Sequence, residues 1–99
     1  MATPRTTDRT HHRAIVRLRR RATLLLRQSG KEDDAELKRA LVMDAADMQA
    51  LATMLNQDRW ATDTRARARK YAANRMDDGR RDGIPVDVRH YLFGGGGAT

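Results

Sequence analysis

The chain has 99 residues, 20 Lys and Arg against 13 Asp and Glu for a formal net charge of +7, three histidines and no cysteine. That length allows a single small domain with a modest core, for which a second copy of the chain is an expected source of further burial. The lack of cysteine excludes disulfides and thiolate metal sites, and no apolar run reaches signal-peptide or membrane-span length, so the expectation is a soluble, cytoplasmic protein with no membrane span.

Charge is distributed unevenly along the chain. Residues 1–30 carry eight Arg and one Asp, residues 31–63 four basic and eight acidic side chains, and residues 64–99 eight basic and four acidic ones, giving a basic, acidic, basic order. An acidic middle can neutralise part of the basic flanks within the fold or between subunits, so the net charge overstates the field offered to a partner. Seventeen of the 20 basic residues are Arg. This usage also fits a GC-rich genome, such as that of an actinobacterium or its phage, so part of it reflects coding bias rather than a ligand.

Residues 1–6, with Pro4, read as a flexible lead-in, residues 7–93 as one helical domain and residues 94–99, GGGGAT, as a flexible tail. The first expected element is an amphipathic helix from Thr7 to Gly30. At about 100° per residue, Ile15, Leu18, Ala22, Leu25 and Leu26 share one stripe, while Arg9, Arg13, Arg17, Arg20 and Arg27 gather opposite. Thr7 is the expected N-cap, Asp8 suits the first turn, and Gly30 stands where a left-handed C-terminal residue is wanted. Neighbouring helical residues diverge by about 100°, so His11 and His12 cannot chelate one metal and read as partly exposed.

A second helix is expected from about Glu32 to Gln57, with Leu37, Leu41, Met48, Leu51 and Leu55 as its main stripe and Met43, Ala46, Ala50 and Met54 as a softer second face. Two apolar faces imply two neighbours or a second copy. The tight turn at Gly30 makes helices 1 and 2 an antiparallel hairpin, and counting from it puts Asp44, in the middle of the apolar stripe, near Arg17 and Arg21. A structural ion pair of Asp44 with Arg17 or Arg21 follows, since a carboxylate in an apolar seam is costly unless paired.

A bend is expected near Asp58 to Asp63, where Asp58, Thr62 and Asp63 offer N-caps, and then a third helix through TDTRARARKYAANRMDD. Its Arg-Ala alternation would suit an edge strand, but Ala is a poor strand former. Trp60, Ala68, Tyr71 and Ala72 share one face. DDGRRDG at 77–83 reads as a loop, and Pro85 starts a short helix at its first position, with Ile84, Val88, Tyr91 and Leu92 as the buried edge. That helix is expected to fold over the hairpin and meet Trp60 or Tyr71. The fold class is all-α: an antiparallel hairpin with one or two further helices, a three- to four-helix bundle.

No catalytic constellation is visible. There is no His-x-x-x-His, Glu-x-x-His, GxxxxGK[ST] or GxGxxG, and the four consecutive glycines lead into no helix. A non-enzymatic protein without metal or cofactor is expected. Its candidate binding residues are Arg9, Arg13, Arg17, Arg20 and Arg27 on helix 1 and Arg65, Arg67, Arg69, Lys70 and Arg75 on helix 3; Trp60 and Tyr71 read first as core-packing residues, with base stacking as the alternative. The expected partner is a DNA or RNA backbone contacted with little sequence preference. The alternative is an acidic protein surface met by a homodimeric adaptor or assembly protein, by analogy with phage accessory proteins of the virion or inhibitors of host proteins.

Overall fold

The computed structural model describes residues 3–57 and 61–93, and for residues 3–8 and 61–63 it describes the backbone alone. The expected roles of Asp58, Trp60 and the glycine tail lie outside the described residues. Among those described, the chain is all-α with no strand: α1 Thr3–Lys31, α2 Ala35–Asn56, α3 Ala61–Arg75, α4 Asp78–Arg81 and α5 Val86–Phe93.

Helix α1 begins four residues before the expected N-cap, so Thr7 lies a turn inside it and residues 3–6 are helical. Pro4 permits this, because an N–H in the first turn has no intrahelical acceptor to lose. At the other end α1 runs through Gly30 to Lys31, and Gly30 keeps right-handed backbone instead of the expected left-handed one. The reversal is made by residues 32–34. Asp34 is the N-cap of α2 and its carboxylate accepts from the backbone N–H groups of Glu36 and Leu37, at 2.9 and 3.2 Å, satisfying two of the donors that a helix start leaves open.

The hairpin of α1 and α2 forms as expected. Its core takes Ala14, Ile15, Leu18, Ala22 and Leu25 from α1 and Ala45, Met48, Leu51, Ala52 and Leu55 from α2. Ala68, Ala72 and Met76 of the α3 segment and Ile84, Val88, Tyr91 and Leu92 around α5 close the other side. Alanines at these contacts let the helix axes approach closely, while Leu18, Leu51, Leu55 and Leu92 fill the interior with no exposure at all. Each such leucine contributes about 2 kcal/mol through removal from water.

Helices α2 and α3 are separate elements, and α2 packs against both α1 and α3. The expected loop at 77–83 contains the one-turn helix α4. Pro85 precedes α5, and its carbonyl accepts the first helical bond from the N–H of Arg89 at 2.9 Å.

Two expected core leucines are displaced. Leu26 is 43% and Leu37 55% exposed. The reason is the extent of the third layer: α3, α4 and α5 cover the hairpin only from about Asp44 and Leu24 toward its open end. Among the described residues, the turn end of the hairpin has two helices and no third. The molecule is accordingly elongated, with extents of 52 × 24 × 19 Å.

Candidate functional site

The outer side of α1 follows from its periodicity. His11, Ala14, Ile15, Leu18, Ala22, Leu25 and Ser29 face inward, so positions 9, 13, 16, 20, 23 and 27 face outward. Arg9, Arg13, Arg20 and Arg27 are exposed there, as are Arg19 on one flank and Arg17 and Arg21 on the other. Arg17 donates through Nε to Asp87 of α5 at 2.9 Å. No ion pair among the described residues takes up Arg9, Arg13, Arg19, Arg20, Arg21 or Arg27.

The face is not purely polar. Val16, Thr23 and Leu24 stand among Arg19, Arg20 and Arg27 along a shallow groove of about 480 Å³. Beside it, Arg17, Arg20, Arg21 and Leu24 face Gly83, Ile84, Pro85 and Val86 across a second groove of about 430 Å³. Val86, at 59% exposure, is the most open of the large apolar side chains among the described residues.

The arginines of α3 are placed differently. The Arg65 guanidinium lies 5.5 Å from the centre of the Tyr91 ring, and Arg69 donates through Nε to the carbonyl of Leu92 at 2.6 Å, capping α5. Arg75 lies 5.9 Å from the centre of the Tyr71 ring, and the Tyr71 hydroxyl donates to Asp47 at 2.9 Å. Arg67 and Lys70 are exposed. Helix α3 therefore spends Arg65, Arg69 and Arg75 on its own fold, and Tyr71 is no free stacking platform.

The expected pairing of Asp44 with Arg17 or Arg21 is not the one formed. Asp44 sits on the edge of α2 that faces α4, and its partner is Arg80, with Nε to carboxylate at 2.7 Å. Arg80 also bridges to Asp47 and donates to the carbonyl of Arg75 at 3.1 Å, closing the end of α3. One guanidinium thus holds two carboxylates a turn apart on α2. The hydrogen bond that Arg80 donates to Asp44 holds the guanidinium still more firmly protonated than a free arginine; desolvation opposes this, and the charge of Asp47 adds to it. Burial, followed by the hydrogen bond to Asp47 and the charge of that carboxylate, raises the Tyr71 hydroxyl above its ordinary pKa of 10.0.

His11 is half-buried, in keeping with the partly exposed position expected of it, and its ring is engaged. Its Nε2 lies 2.6 Å from the carbonyl oxygen of Leu55 and its Nδ1 2.6 Å from the Tyr91 hydroxyl. A carbonyl only accepts, so Nε2 carries a proton, and in the neutral ring Nδ1 accepts from Tyr91. The ring joins the start of α1, the end of α2 and α5, and fills one of the open carbonyls at the α2 C-terminus. The signal was present: His11 precedes Ile15 by four residues and Leu18 by seven, on the buried stripe. Arg80 was signalled more weakly, by two acids three residues apart on one face of α2.

Among the described residues, no three His, Asp or Glu side chains are grouped to hold a metal ion, and no helix is long and apolar enough to cross a membrane. The chain matches no known family, curated protein or solved structure. The reading of its function rests on the arginine face itself.

Proposed function

We propose that the protein is a non-catalytic, cytoplasmic nucleic-acid-binding protein that grips the phosphate backbone of DNA or RNA through the outer face of α1. The observation that supports this reading is the contrast between the two arginine sets: Arg9, Arg13, Arg19, Arg20, Arg21 and Arg27 of α1 are exposed and outside the ion pairs among the described residues, whereas Arg17 pairs with Asp87 and Arg65, Arg69 and Arg75 serve the fold. Arg13, Arg20 and Arg27 recur every seven residues, about 10 Å apart along a rigid helix, and Arg9 extends the line. A guanidinium binds a phosphate with two parallel hydrogen bonds, so such a line is suited to successive phosphates and carries little base selectivity.

Charge reversal of Arg13, Arg20 and Arg27 is the direct test, since none of the three has a structural ion pair among the described residues. In fluorescence anisotropy with a random-sequence duplex and a single strand, the triple variant is expected to lose at least a hundredfold in affinity with unchanged helical content. Wild-type binding is expected to weaken steeply between about 50 and 200 mM salt. Unchanged affinity in the variant would remove α1 from the site.

Val16, Leu24 and Val86 favour a second reading, in which the same face takes an acidic amphipathic helix of another protein. The two readings separate on Leu24→Ser: the substitution leaves phosphate binding intact but weakens a helix seated on the apolar ridge by about tenfold.

A further inference from the structure

The turn end of the hairpin is an unfinished core. Along the rest of the molecule, the groove between α1 and α2 is filled by the α3 to α5 layer. Past Asp44 it continues as an open groove of about 370 Å³ lined by Gln28, Lys31, Glu32, Leu37 and Leu41. Leu41 is partly buried against the core, and Leu37, one turn earlier on the same stripe, is more than half exposed. A helix laid in this groove would complete the layered cross-section that the chain itself completes further along.

We infer that a second copy of this chain occupies the groove, the two hairpin ends packing about a two-fold axis so that Leu37 and Leu41 of each fill the groove of the other. The charge pattern selects this occupant. Lys31 and Glu32, of opposite sign, line the groove beside Leu37 and Leu41, so a two-fold axis can set Lys31 of one copy against Glu32 of the other. From Arg9 to Arg27 the outer face of α1 carries cations and no acid, and repels itself. The helix that each copy offers is also the right one, since the first half of α2 presents the unsatisfied apolar stripe. The dimer does not depend on what α1 binds, and it leaves the arginine face of each copy open.

Sedimentation equilibrium on the full chain without nucleic acid tests this. Wild type is expected to be dimeric at micromolar concentration, and Leu37→Glu to weaken the dimer at least tenfold while keeping wild-type helicity, since Leu37 is largely exposed in the single chain. Val42→Glu, on another side of α2, is expected to leave the dimer intact. The chain has no native cysteine, so Leu37→Cys offers a second measurement, oxidative cross-linking between copies that Val42→Cys does not show. A monomeric wild type, or a dimer indifferent to Leu37→Glu, would overturn the assignment.

Discussion

His11 shows how much structural work one side chain does in this small core. Its ring reaches a hydroxyl 80 positions away and a carbonyl 44 positions away, tying three helices through two hydrogen bonds. His11→Ala leaves the Leu55 carbonyl and the Tyr91 hydroxyl without these partners and is expected to cost about 1–3 kcal/mol. Thermal unfolding followed by circular dichroism checks it: about 4–8 °C is lost per kcal/mol in a domain of this size, and an unchanged midpoint would show that the ring carries no such load. Tyr71 gives a second residue-scale expectation. Its hydroxyl is raised by burial first and by Asp47 next, so folding favours the neutral form. That contribution is complete below the unfolded value near pH 10 and is lost as pH rises through the higher folded value. Urea midpoints should fall more steeply above pH 10 for wild type than for Tyr71→Phe; parallel curves would contradict the coupling. Neither contact was legible locally, because both join residues that only the folded chain brings together. The partner of Asp44 differs from the expected one for the same reason: a count along two helices cannot see that a third element supplies Arg80.

At the scale of elements, periodicity was the reliable signal. It marked the inward stripe and arginine back of α1 and the buried edge Ile84, Val88, Tyr91 and Leu92, because each depends only on angular spacing along one helix. The second face expected on α2 is not buried, with Met43 and Ala46 exposed, and α2 meets its two neighbours through Ala45, Met48, Leu51, Ala52 and Leu55 instead. Ends and extents were less legible. Gly30 reads as a helix terminator, yet the three polar residues after Lys31 and the Asp34 cap make the turn, so Gly30 is an ordinary helical residue. A Cβ built there meets nothing within 4 Å. Gly30→Ala is therefore expected to stabilise the fold by about 0.5–1 kcal/mol, by reducing the freedom of the unfolded chain at no steric cost. A lower denaturation midpoint would instead point to the left-handed terminator that the sequence suggests. Leu26 and Leu37 were misjudged because a stripe says which way a residue points but not how far a third helix extends to cover it. The arginines of α3 were misjudged in the opposite sense: Arg69 caps a carbonyl 23 residues on, and no pattern within α3 announces that use.

At the scale of the molecule, two surfaces among the described residues stand out as open, and they differ in chemistry. The cationic side of α1 suits an extended polyanion, and the mixed-charge, leucine-bearing hairpin end suits a copy of itself. The measurement that bears most directly on the account is the salt dependence of duplex binding by wild type and by the Arg13, Arg20 and Arg27 charge-reversal variant. The expected result is a steep loss of wild-type affinity with salt, at about 0.9 log units per log unit of salt for each phosphate neutralised, and no measurable binding by the variant. Wild-type binding that is absent at low salt, or a variant that binds with the wild-type slope, would contradict it.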